Sequence, residues 1–202
     1  VPNVLREYVA GLQGRQTPAL VLVLYGNRSP GDALAELREL LTAGGFQVLG
    51  AGAFIGEHSF SKVLAKGRPD DDDLAEARRF AAALADKLSR GDRSTDYPVP
   101  GTLPLTGYYT PLGLDGAPVN FLKAKPLTSE ACTRCGLCVR LCPMGSITPE
   151  DPSAVPGICI KCCACVKECP VGAKSFQDPG FLSHLAQLEA NYQEPKAPEW
   201  HL

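Results

Sequence analysis

The sequence predicts an α/β layered domain followed by a small domain built around cysteines. Three observations carry that prediction. Helix-period and strand-period segments alternate over residues 1–91. All nine cysteines fall between residues 132 and 169. Finally, the cysteine region repeats itself, residues 132–147 sliding onto 159–174.

The elements follow in order. PNVLREYVAGLQ at 2–13 has a helical period that gathers Val4, Leu5, Tyr8, Val9 and Leu12 on one side. ALVLVLY at 19–25 is a continuous apolar run ahead of Gly26-Asn27, the pattern of a strand buried on both faces of a parallel sheet. GDALAELRELLTAGG at 31–45 reads as a helix stopped by Gly44-Gly45, and FQVLGAGAFI at 46–55 as a second strand. RPDDDDLAEARRFAAALADKLSRG at 68–91 is a third helix, with Asp70 to Asp73 at the positive end of its dipole. Two strands and three helices do not complete a doubly wound sheet. A strand buried on both faces needs neighbours on each side, and 19–25 has one candidate, 46–55. The expectation is that residues preceding Val1, or another chain, complete the sheet.

Residues 92–122 are rich in Pro, Gly and Thr and read as a linker, with Asp115-Gly116 its best turn signal. Tyr97, Tyr108, Tyr109 and Phe121 suggest that this linker packs on a domain surface. Residues 123–180 hold the cysteines. The tail, 181–202, has a helical period in FLSHLAQLEANYQ and a packing anchor in Trp200. His58, His184 and His201 are scattered singles, expected to be solvated or packed.

Bulk numbers exclude several classes. A formal net charge of −2 is no nucleic-acid footprint. The longest apolar run is far below the roughly 18–20 residues that span a bilayer. The first residues carry charges where a signal peptide needs an apolar core. An odd number of closely packed cysteines makes a poor disulfide framework. The expectation is a cytoplasmic, reducing setting with the thiolates on metal.

In the repeat, Cys132 meets Cys159, Cys135 meets Cys162, Cys138 meets Cys165 and Cys142 meets Cys169. Pro143 meets Pro170, Gly145 meets Gly172, and the cations Arg134 and Arg140 meet Lys161 and Lys167. Cys163 lies opposite Gly136, so the repeat assigns it no ligand role; it is expected to be a small buried hydrophobe.

Each copy has the C-x2-C-x2-C-x3-C-P spacing and so resembles bacterial two-cluster ferredoxins. That resemblance implies two [4Fe–4S] clusters with crossed ligand sets. Cluster I would take Cys132, Cys135, Cys138 and Cys169; cluster II would take Cys142, Cys159, Cys162 and Cys165. Zinc is the rival reading, since C-x2-C pairs also build zinc ribbons. It leaves unexplained why each of two sets of four ends in Cys-Pro.

The whole chain also resembles flavodoxin–ferredoxin fusion proteins. VPNVLREYV, LVLVLYGNRSPGDAL, GFQVLGAGAFIGEHSFS, GRPDDDDLAEARRFA and CIKCCACVKECPVGAKSF carry the resemblance. It implies the C-terminal half of a flavodoxin-like parallel sheet, then a small α+β ferredoxin domain with two clusters. It further implies an FMN-contacting loop at Tyr25, Gly26, Asn27 and Arg28. The Ser/Thr/Gly-rich phosphate loop of such folds does not occur in this sequence. GTLPLTG at 101–107 has no strand before it and no helix after it. The implied function is electron transfer to redox partner proteins, with a flavin-dependent reductase or a subunit of a larger redox enzyme as the alternative. No constellation of acid, base and nucleophile is visible.

Overall fold

The computed structural model describes residues 2–202. In chain order the elements are α1 (Asn3–Ala10), β1 (Pro18–Tyr25), α2 (Ala33–Ala43), β2 (Gln47–Ile55), α3 (Asp71–Ser89), β3 (Leu127–Thr128), α4 (Leu137–Leu141), α5 (Ala164–Lys167), β4 (Lys174–Ser175), α6 (Pro179–Asn191) and β5 (Glu199–His201). They form two compact units. The sheet unit takes the chain up to His58, Leu64–Tyr108 and Gln193–Leu202. The cysteine unit takes Ser59–Val63 and Tyr109–Tyr192. The segment read as a linker therefore divides, 92–108 packing with the sheet and 109–122 with the cysteines.

In the sheet unit the strand order is β1-β2-β5. β1 and β2 run parallel across the α2 crossover, and β5 adds antiparallel on the far side of β2. Leu34, Leu37 and Leu41 recur at helical spacing on α2 and pack on Val21, Val48, Ala51 and Ala53. Tyr97 enters the same core, and its hydroxyl donates to the Val48 carbonyl at 2.9 Å. Arg38 donates to the carbonyls of Thr95 and Tyr97, which straps that segment to α2. Trp200 on β5 stacks near Phe80 of α3, with ring centres 5.6 Å apart, and donates to Glu76.

One expectation fails here. Among the described residues the run at 19–25 is buried on one face only, because its other face borders an open groove; β1 is also the edge strand of the described sheet. Ala19, Val21 and Val23 face the core, while Leu20, Leu22 and Leu24 line an open groove with Leu74 and Phe80 of α3; Leu24 is 72% exposed. The apolar side of α1 is also mostly open. Val4, Leu5 and Tyr8 are exposed, and only Val9 and Leu12 reach the core.

The third helix begins as its acidic start requires. Asp70 caps α3 by accepting from the Asp73 N–H at 3.0 Å, and Asp73 accepts from the Asp70 N–H at 2.9 Å. The Asp73 carboxylate also receives the Arg68 guanidinium on both oxygens.

In the cysteine unit β3 and β4 pair antiparallel, Thr128 opposite Lys174. They join the chain before the first motif to the chain after the second. Asp178 caps α6 by accepting from the Phe181 N–H at 2.9 Å, with Pro179 in the first turn. α6 buries Phe181, His184 and Leu188. His184 is packed, its Nδ1 bonded to the Leu112 carbonyl at 2.8 Å and its ring stacked on Phe121. Asp115-Gly116 does form a turn, closed by the Gly116 N–H on the Gly113 carbonyl. Among the described residues no helix is long and apolar enough to cross a membrane.

Candidate metal centre

The repeat in the sequence is a repeat in the backbone. Arg134 and Lys161 both take positive φ, at 56° and 55°. Gly136 and Cys163 do the same at 73° and 58°, and each opens a short helix, α4 or α5. Gly145 and Gly172 follow at 58° and 61°. Left-handed residues at fixed offsets coil each loop so that its three cysteines turn toward one point. Cys163 holds a conformation that costs glycine nothing and a β-carbon something.

The loops enclose two cavities. One is lined by Cys132, Cys135, Cys138 and Cys169. The other is lined by Cys142, Cys159, Cys162 and Cys165, with Cys163 on its wall. In each, three cysteines come from one motif and the fourth from the other. These are the two sets that the resemblance to two-cluster ferredoxins implies.

Backbone amides face the sulfurs. The Ala173 N–H donates to Cys169 Sγ at 3.2 Å, and at the matching place the Ser146 N–H donates to Cys142 Sγ at 3.4 Å. Arg134 N–H donates to Cys132 Sγ at 3.4 Å. Burial opposes ionisation of Cys169, yet the N–H groups of Val171, Ala173, Lys174 and Gly172 outweigh it and hold this thiol below its ordinary range. Cys165 goes the other way. Burial pushes it up to about 11 against the pull of Lys174. A thiol so placed releases its proton readily only when a metal cation in the cavity takes the sulfur. Among the described residues no three Cys, His, Asp or Glu side chains close in tightly enough to hold a single ion.

Cys163 is buried with Ala124, Phe176 and Phe181. Burial, then the neighbouring Cys165, Cys162 and Cys159, push its thiol up to about 12, which keeps it neutral. The remaining site expectation, Tyr25 to Arg28, follows the C-terminal end of β1. Asn27 there is buried with φ at 66°. Its side chain is occupied: Nδ2 donates to the Glu194 carbonyl at 2.9 Å, and Oδ1 accepts from the Lys196 N–H at 3.1 Å. Gly26 lies tight against His58, where a β-carbon would come within 2.6 Å of the backbone. Burial raises the Tyr25 phenol, with Glu199 adding to it.

Sequence reasoning passed over one pair of residues. Ile147 lines the cavity closed by Cys142, and Lys174, at the equivalent position of the repeat, lines the cavity closed by Cys169. The signal was there, as the last column of the repeat, where an apolar residue stands opposite a cation.

Residues 127–148 match the 4Fe-4S binding domain family, a stretch that contains Cys132, Cys135, Cys138 and Cys142. No curated protein sequence shows significant similarity to the chain. This part of the chain is a ferredoxin-like segment that binds a 4Fe–4S cluster, and iron–sulfur electron transfer is its chemistry.

Proposed function

We propose that the protein transfers single electrons through two [4Fe–4S] clusters held by crossed sets of cysteines. Cys132, Cys135, Cys138 and Cys169 would hold cluster I. Cys142, Cys159, Cys162 and Cys165 would hold cluster II. The observation that carries this reading is the pair of similar cavities, each walled by four thiols from two motifs. Zinc fits less well, because it leaves unexplained why each of two sets of four cysteines ends in Cys-Pro. The clusters supply one-electron chemistry, and the chain supplies thiolates, amide donors and exclusion of water.

Coupling to an FMN in the sheet unit is the further part of this proposal. Support comes from the β1–α2–β2 parallel unit, which a flavodoxin-like half-sheet would contain, and from the loop at Tyr25 to Arg28 outside the strand's C-terminal end. The protein would then pair a two-electron carrier with one-electron carriers and serve redox partner proteins.

Anaerobic purification with iron, sulfide, zinc and flavin quantified together tests both parts. The expected result is about eight irons and eight sulfides per chain, with visible charge-transfer absorbance. Stoichiometric zinc without that absorbance would overturn the cluster reading. Clusters without flavin would overturn only the FMN coupling.

A further inference from the structure

The two cavities have matching cysteines, matching left-handed loops and matching amide donors. They differ at several places in the repeat, and one of these puts a buried cation on one cavity wall and an apolar side chain on the other. Five residues beyond the crossing cysteine, the cavity of Cys142 has Ile147, and the cavity of Cys169 has Lys174. Both side chains are buried, Ile147 at 4% exposure and Lys174 at 3%. β4 fixes Lys174 by pairing it with Thr128.

A buried ammonium costs much free energy unless something compensates it. Lys174 Nζ donates to the carbonyl of Pro152, itself on the wall of the same cavity. Among the described residues no carboxylate lies within ion-pair distance of it. Beyond that distance the exposed Asp151 carboxylate feels the Lys174 charge, and among the described residues one carbonyl is the ammonium's only direct partner. The other cations near the motifs are placed differently. Arg134 also lines this cavity, but it is exposed, as Arg140 is, and solvent screens both. Lys161 is buried, but its ammonium is spent on the carbonyls of Leu122 and Cys159.

Resting on the two-cluster reading, we propose that Lys174 is the buried counter-charge of the cavity closed by Cys169, and that it makes this cavity the end of the protein where an added electron resides. A cube with four thiolates is already anionic, and one-electron reduction adds one negative charge without moving an atom. A fixed cation on the cavity wall favours the reduced form, and an isoleucine in the equivalent place does not. The Lys174 charge also reaches Cys165 of the other cavity, so the second cluster feels a pull in the same direction.

The test uses the anaerobic holoprotein and a potentiometric titration with dithionite, followed by electron paramagnetic resonance. Iron and sulfide are counted first on the wild type; zinc, or iron for one cube, means that the two-cluster reading has failed rather than this inference. Cys135→Ser then marks which reduction step belongs to the first cavity. In the wild type the marked step is expected to be the higher in potential. Lys174→Met should shift that step's equilibrium toward the oxidised form at least tenfold, about 59 mV for one electron, with a smaller shift in the other step. Lys174→Arg should restore most of it. A marked step that is the lower one in the wild type overturns the inference, even where the methionine variant fails to fold. So does a Lys174→Met protein with full iron whose marked step does not move, or moves less than the other.

Discussion

In the sheet unit the apolar cluster gathers Val21, Leu34, Leu41, Val48, Ala51, Ala53 and Tyr97 beneath strands of eight and nine residues. In the cysteine unit the corresponding cluster is Ala124, Cys163, Phe176 and Phe181, and its two strands are two residues each. One unit has a conventional core and backbone ladder. The other has short helices, left-handed turns and two thiol-lined cavities. A domain with so little core needs a staple, and crossed ligand sets are one, since each cluster would tie the first motif to the second. The difference teaches that apolar burial holds one part of the chain, whereas in the other, on the proposed two-cluster reading, the cofactor would do so.

The strongest way to break that comparison is to take the iron away. Anaerobic chelation should abolish visible absorbance and amide-exchange protection across 127–176, while amides of β1 and β2 stay protected. Trp200, the chain's single tryptophan, lies in the sheet unit and should keep its emission wavelength. A cysteine unit that keeps its protection without iron would show that it has a sufficient core after all.

The reverse experiment has a smaller effect. Leu34 is 1% exposed at the centre of the sheet unit's core. Leu34→Ala should cost about 2–5 kcal/mol of that unit's stability, read by Trp200 fluorescence in urea, and should leave iron content unchanged. Iron lost in proportion to the destabilisation would mean that both units melt as one block.

How much of this was legible follows from where the information sits. Repeats and spacings are local in sequence, so the eight repeat-matched thiols could be read before any coordinates, as could the acidic start of α3; the division of the thiols into two sets came from the resemblance. What the chain leaves open is set by distant partners. ALVLVLY has the same residues whether two strands flank it or one; that β1 is an edge, with Leu20, Leu22 and Leu24 outside, depends on the rest of the sheet. Asn27 was legible only as part of the loop after β1. That its side chain clamps the backbone at Glu194 and Lys196, more than 160 residues along the chain, is set by those distant partners. Lys174 read as one more cation until β4 put it inside a wall.

The smallest expected effect sharpens the comparison at the start of α3, where the sheet unit depends on charge as well as burial. Asp70→Ala removes the acceptor for the Asp73 N–H and should cost about 1 kcal/mol at neutral pH, again read at Trp200. It leaves the Asp73 carboxylate on Arg68. That guanidinium, ahead of the opposing effect of burial, holds Asp73 below the usual carboxylate range. A carboxylate depressed in the folded state adds stability that is fully present above its unfolded pKa, near 3.9. This stability falls away as pH drops below about 4 and through the folded value. Asp73→Asn should therefore flatten the acid limb of the stability curve. Asp70 also approaches Arg68, at 3.2 Å, so an Asp73→Asn protein that keeps the full limb would mean that other carboxylates, and not the Arg68–Asp73 pair, set the charge dependence of this helix start.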